Sequence, residues 1–418
     1  MLNQVQHDNG GELSVTLNQV LNLFQDLRFQ GLMNTDTSVF DYGLWGRECY
    51  LDKKGMFFYI NMLKGRRNRM RMTQANVLGR KLNGRNQMEL PKFEFIQPHS
   101  LQEACSLLRE HDRKTALLAG GTALMVGLRH RLNTPAVVIG LKGLTALDYV
   151  TRNESGGLSI GSMATLETLE KSPLVIKECA LLAQAVQLVA VPPIRHGATI
   201  GGNLCLDTRC IYHNQSEFWR TPQRACFKRG GEICYAVEKG RRCQAVYQGD
   251  LAPVLITLGA QVKIASANGE KIIPLAEFFT GRGEKPNVLK PDEILVEIRI
   301  PPSGQGAVGA YEKLRVREGM DFPMAGVAVM VNRNRSGIIE KARLVLGAVG
   351  SSPIEVPKAA GFLEGQKPTE DLLQRVSREV VDSARPAGNL AMDASYRKKM
   401  VGVLVKRALR RALAIADC

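Results

Sequence analysis

Five of the chain's nine cysteines fall between Cys205 and Cys243. Four of them, Cys210, Cys226, Cys234 and Cys243, stand at steps of 16, 8 and 9. Thiols at this density suit disulfides, zinc, an iron–sulfur cluster, or a group of unligated buried side chains. Structural zinc sites usually present CxxC knuckles that wrap one small ion, and no CxxC occurs here. Widely spaced single cysteines on a loop also suit a cubane, in which each thiolate binds a different iron. Spacing alone leaves zinc, iron–sulfur and unligated thiols all open.

The second candidate chemistry lies in two glycine turns. One comprises Leu117, Leu118, Ala119, Gly120, Gly121, Thr122, Ala123 and Leu124; the other comprises Thr199, Ile200, Gly201, Gly202 and Asn203. Adjacent glycines let backbone amides approach an anion closely, and a hydroxyl or carboxamide nearby adds a hydrogen bond. Together the two turns are able to cradle a diphosphate; either alone is an ordinary strand-to-helix turn. Neither is GxGxxG, and no GxxxxGK[ST] loop is present. His111, His130, His196 and His213 are isolated, with no HxxxH or HExxH spacing and no Ser/His/Asp arrangement, so no catalytic residue is assigned. Cys105 and Cys179 read as core thiols, Cys205 as a spare buried thiol, Cys49 lies in the N-terminal segment and Cys418 is terminal.

These residues need elements to hold them. "MELPKFEFIQPHSLQEACSLLREH" predicts a short strand, a Pro-bearing turn and a helix with Ser100 at the N-cap and Glu103 at N3. Strand, turn and helix recur in "TALLAGGTALMVGLRH" and "GGLSIGSMATLETLEKSP", and "AVVIGLKGL" reads as a further strand. "ECALLAQAVQLVAVPPIRHGATIGGNL" predicts a helix stopped by Pro192 and Pro193, then a glycine turn. Strands "GAYEKLRVR", "AGVAVMVNR" and "EKARLVLGAVG" precede two C-terminal helices. The pattern predicts an α+β chain: an unassigned extension over 1–87, a main domain over 88–303 with an inserted loop at 205–245, and a smaller α+β domain over 304–418. Because the texture changes so abruptly at Met88, the native chain is expected to start there.

Hydrophobic content of 44% and charged content of 23% are those of a soluble globular protein. Without a membrane span or a signal peptide in the sequence, the expected location is the cytoplasm, where clustered cysteines point to metal or redox work rather than disulfides. The net charge of +16 raises nucleic-acid binding, with a structural zinc site, as one reading. However, the charge is concentrated in one run over 64–85, which reads as a linker or an RNA contact, and no helix-turn-helix or RNP signature accompanies it.

In this order and at these separations, "LLAGGTAL", "ATIGGNL", "GDLAPVLITLGA", "FFTGRGEKPNVLKPDEILVEIRIP", "YEKLRVREGMDFPMAGVAV" and "ASYRKKMVGVLVKRAL" resemble the FAD-binding subunit of the xanthine oxidase family of molybdenum hydroxylases. The resemblance runs from about Met88 to the C-terminus. It implies a two-subdomain FAD-binding domain of the vanillyl-alcohol-oxidase (PCMH) type, followed by a C-terminal domain of the CO-dehydrogenase flavoprotein type. By the same resemblance, the two glycine turns hold the FAD diphosphate, Val189 and Leu295 lie against the cofactor, Asp250 accepts from ribose or ribityl hydroxyls, and Lys313 places positive charge near the pyrimidine end of the flavin.

The cysteine-rich insertion, with "DTRC", "CFKRGG" and "KGRRC", resembles that of the 4-hydroxybenzoyl-CoA reductase branch of the family, where such a loop carries a [4Fe-4S] cluster. This implies that Cys210, Cys226, Cys234 and Cys243 are its ligands, with the loop's eight Lys or Arg against four acids screening the cluster. It further implies a molybdenum-cofactor large subunit, a small subunit with two [2Fe-2S] clusters and a ferredoxin-like donor as partners, with neither nucleic acid nor membrane. Electrons would pass from ferredoxin through [4Fe-4S], FAD and [2Fe-2S] to molybdenum, for reductive dehydroxylation of 4-hydroxybenzoyl-CoA to benzoyl-CoA on another polypeptide. The alternative within the family is an FAD subunit of a xanthine, aldehyde or CO dehydrogenase type that passes electrons to NAD or another acceptor.

Overall fold

The computed structural model describes residues 90–414, except 112, 113, 305, 389 and 390, together with the backbone of three strands further upstream. The chain divides into two compact units, residues 1–84 and 85–418. In the first, strands Ser38–Tyr42, Arg47–Leu51 and Phe57–Asn61 pair as an antiparallel meander. The sequence offered no period there, so this sheet was not anticipated. The basic run over 64–85, the proposed start at Met88, the Cys49 side chain and Cys418 lie outside the described residues.

The second unit opens with a parallel sheet ordered Glu94–Ile96, Val137–Gly140, Thr115–Leu118. Helix Leu101–His111 lies against it, burying Ala104, Cys105 and Leu108. Its start follows the expected chemistry with one shift. Ser100 Oγ accepts from the Glu103 amide at 3.1 Å, but the Glu103 carboxylate reaches back to the His99 amide at 2.7 Å rather than to Ser100. Cys105 and Cys179 are both buried, as core thiols should be.

Next comes an antiparallel sheet ordered Gly269–Pro274, Gln261–Ser266, Ile294–Ile300, Leu158–Gly161, Val150–Arg152. Helices Ala180–Gln187 and Leu251–Thr257 share its core, where Leu182, Val186, Leu251 and Leu255 are fully buried. Pro192 and Pro193 do more than end a helix. The chain breaks at 188–191 and a new helix, Pro192–Gly197, opens on them. Proline lacks only an N–H that a first helical turn leaves unpaired, and its φ is already helical. The sequence reading of one helix followed directly by a turn is corrected accordingly.

Strands Ala307–Leu314, Ala325–Arg333, Ile339–Gly347 and Ile354–Glu355 form the last sheet, an antiparallel meander. Helix Ala394–Leu413 packs on its first two strands and helix Glu370–Ser383 packs on that helix. Thr369 and Asp393 cap them, accepting from the amides of Leu372 and Tyr396. Among the described residues, no helix is long and apolar enough to cross a membrane.

Candidate functional site

The turn at 117–124 leaves the carboxyl end of strand Thr115–Leu118, the edge at which open α/β sheets bind ligands. It lies directly on the end of helix Pro192–Gly197. A Cβ built on Gly120 would stand 1.8 Å from the Gly197 carbonyl oxygen, so the close approach that demands glycine is one of protein backbone to protein backbone. Gly121 has φ +74°, which a side chain disfavours. Both glycine turns are thereby brought side by side.

Their amides differ in availability. Among the described residues, no acceptor is found for the N–H groups of 120 to 124, and Gly120, Thr122 and Ala123 are exposed. In the second turn the amides are already paired. Ile200 donates to Ala164 O at 3.0 Å, Gly201 to Ser162 O at 2.9 Å, Gly202 to Thr199 Oγ1 at 3.1 Å and Asn203 to Thr199 O at 2.9 Å. Thr199 Oγ1 thus caps helix Ile200–Leu204 and keeps its own proton to donate. Asn203 Oδ1 accepts from the Leu251 amide at 3.3 Å, while Tyr247 Oη donates to the carbonyls of Asn203 and Leu204. The first turn therefore offers amides to an anion, and the second offers chiefly a hydroxyl on a rigid frame.

Asp250 and Lys313 come together, 3.1 Å apart, with side chains only 5% and 2% exposed. The other Asp250 oxygen accepts from Tyr311 Oη at 2.9 Å. Burial pushes the Asp250 carboxyl above its ordinary pKa, opposed by Lys313 and Tyr311. All three Lys313 protons have acceptors: Asp250, Leu188 O at 2.9 Å and Asp321 O at 3.1 Å. The Leu188 bond reaches the break that carries Val189, where Ala190 is left-handed at φ +45°. Arg195, paired with Glu170 at 2.8 Å, donates to Val189 O at 2.9 Å and Gln187 O at 3.4 Å. Two buried cations thus hold three successive carbonyls of that segment. Leu295 is buried at a bulge of strand Ile294–Ile300.

The inserted loop has little regular structure, so its backbone is tied by side chains. Arg220 donates to His130 O and Arg131 O, Arg229 to Arg220 O, and Lys228, 5% exposed, to Asp207, Thr208 and Gly283 O. Part of the loop's positive charge is therefore engaged internally. Cys210, Cys226, Cys234 and Cys243 all line one cavity, with Tyr212, His213, Lys228 and Tyr235. Gly283 gives the sulfur room, since a Cβ there would lie 2.7 Å from Cys243 Sγ. Among the described residues, no three His, Cys, Asp or Glu side chains converge as a single-ion site. Burial pushes the Cys210 thiol up, with the Tyr212 and His213 amides opposing it, and lifts Cys243 to about 11. His213 is buried, its Nδ1 has no partner among the described residues, and burial lowers its pKa to about 4. Cys205 lies outside this ring, packed in the core beside the second glycine turn, where burial lifts it to about 12.

Sequence reasoning named the pair Asp250 and Lys313 but not Tyr311, Arg195, Tyr247 or Lys228. Tyr311 had a signal: it lies two residues before Lys313 on one strand, and so on the same face. Arg195 and Lys228 had none, because part of their bonding goes to backbone carbonyls and their side-chain partners, Glu170 and Asp207, stand 25 and 21 residues away.

Comparison with known proteins agrees with this geometry. The family described as "FAD binding domain in molybdopterin dehydrogenase" matches residues 91–303, and "CO dehydrogenase flavoprotein C-terminal domain" matches 309–412. Caffeine dehydrogenase subunit beta of Pseudomonas sp. (strain CBB1) is 31% identical, over 78% of this chain and 96% of its own. The carbon monoxide dehydrogenase medium chain of Hydrogenophaga pseudoflava is 30% identical, over 78% and 98%. A solved structure of carbon monoxide dehydrogenase from the same organism superposes with a TM-score of 0.65 at 29% identity, covering 78% of this chain and 99% of that one. The chain belongs to the FAD-binding medium subunits of the xanthine oxidase family of molybdenum hydroxylases.

Proposed function

We propose that this chain holds both FAD and a [4Fe-4S] cluster and conducts electrons, in the cytoplasm, for a molybdenum enzyme of the 4-hydroxybenzoyl-CoA reductase type. Its partners would be a molybdenum-cofactor large subunit, a small subunit with two [2Fe-2S] clusters and a ferredoxin-like donor. The observation that carries this reading is the ring of Cys210, Cys226, Cys234 and Cys243 around one cavity. Thiols that share a cavity without converging on a point suit a body with four metal corners better than one zinc ion. Cys210 and Cys243 each lie seven residues along the chain from a flavin-site residue, Asn203 and Asp250.

When bound, FAD supplies exchange between one-electron and two-electron carriers. The chain's own residues bind and orient it. The open amides of 120–124 and the Thr199 hydroxyl take the diphosphate, within the turns Leu117–Leu124 and 199–203. Val189 and Leu295 supply apolar walls. Asp250 and Lys313 act on the flavin side of the site, and Lys313, with Arg195, fixes the carbonyls of 187–189.

The dehydrogenase relatives favour a second reading, in which electrons leave through FAD to NAD or another acceptor. Iron, acid-labile sulfide, zinc and FAD content of anaerobically purified protein, with Cys226→Ser alongside, separates the two cofactor contents. The expected result is about four iron and four sulfide per FAD, lost in Cys226→Ser while FAD stays. FAD without iron refutes the cluster. Turnover of the complex with reduced ferredoxin and 4-hydroxybenzoyl-CoA, against purines or aldehydes with NAD, then tests the substrate.

A further inference from the structure

The cysteine cavity has one polar wall residue that its ligand set does not use. His213 is 6% exposed and lines the same cavity as the four thiols. Its amide donates to Cys210 O at 3.0 Å, which ties the residue to the segment carrying the first thiol. Its Nδ1 is buried with no hydrogen-bond partner among the described residues. A buried ring nitrogen left unpaired is costly, and native proteins rarely leave one so. The four thiols already complete a cubane's ligands, so the imidazole is not needed as a fifth.

We propose that the His213 imidazole donates a hydrogen bond to a sulfur of the cluster held by Cys210, Cys226, Cys234 and Cys243, and thereby raises the cluster's reduction potential. The proposal rests on the reading of this loop as a [4Fe-4S] site. Hydrogen bonds to cluster sulfurs favour the reduced, more negative state, because the donor stabilises added electron density. No atom is transferred; His213 is a positioning residue that tunes its neighbour. Its backbone is tied to Cys210, and no residue placed at the FAD site lines its cavity.

The test is a potentiometric titration of the full-length, FAD-loaded protein followed by electron paramagnetic resonance, comparing wild type, His213→Leu and His213→Gln. Pulsed measurements on wild type carrying histidine labelled with ¹⁵N in the imidazole ring only accompany it. The expected result is a cluster midpoint shifted to lower potential in His213→Leu, partly restored by the amide donor in His213→Gln, with the FAD midpoint unmoved. A histidine nitrogen coupling to the reduced cluster is expected in the wild type. His213→Leu with full iron and a wild-type midpoint overturns the proposal. Where His213→Leu fails to retain iron, absence of the nitrogen coupling in wild type overturns it, and presence supports it. Wild-type protein with FAD and no iron overturns the cluster reading as well, an outcome distinct from an unmoved midpoint.

Discussion

Lys313→Met is expected to unsettle both the fold and the flavin site. The ammonium is 2% exposed and its three protons go to Asp250, Leu188 O and Asp321 O. Methionine fills similar volume but leaves the Asp250 carboxylate with Tyr311 as its remaining side-chain partner and two carbonyls unpaired. Breaking a buried pair from one side costs about 3–5 kcal/mol, since an uncompensated charge stays behind. At about 2–4 °C per kcal/mol for a domain of this size, melting should fall by on the order of 10 °C. Asp250→Asn combined with Lys313→Met removes both charges and should be milder than Lys313→Met alone. FAD content should fall with Lys313→Met as well, because Leu188 O loses its anchor beside the left-handed Ala190. Thermal melts and flavin absorbance on the three proteins read all of this. A Lys313→Met protein melting within about 2 °C of wild type, with no rescue in the double variant, would refute the coupling.

Gly120→Ala places a Cβ 1.8 Å from a backbone oxygen that has no rotamer to move, so the first turn must shift. Overpacking of this kind costs typically about 1–3 kcal/mol, and purified protein should carry less FAD; unchanged FAD content would show that the turn does not set binding. Glu297 reports on acid stability. Burial pushes its carboxyl up, but Arg299 and Tyr149 outweigh burial and hold it below the ordinary 4.5. A depressed carboxyl stabilises the fold above its unfolded pKa, and that stability is lost as pH falls through the folded value. Glu297→Gln should therefore destabilise near neutrality and converge with wild type as pH falls through the depressed folded value, as read by denaturant unfolding across pH; a constant difference would contradict the linkage.

Much of the family and fold was legible because local chemistry repeats its own signals. Ser100 and Glu103 announced a helix start, alternating apolar runs announced strands, and the ordered motifs from Leu117 to Lys313 carried the family. Glycine pairs were legible too, but not their reasons. Gly120 is glycine because another segment's backbone crosses it, and the amides of 200–203 are paired by residues some forty positions earlier or within their own turn. Cys210, Cys226, Cys234 and Cys243 could be singled out from one dimension, whereas their place around a single cavity depends on how an irregular loop is tied by Arg220, Lys228 and Arg229. Hydrogen bonds from cations to carbonyls leave no trace in residue spacing, because every residue carries a carbonyl. Residue types and their order therefore determined the family and the FAD-binding fold that goes with it. Only the tertiary structure decided which amides stay open, which charges are already paired, and that His213 lines one cavity with the four cysteines.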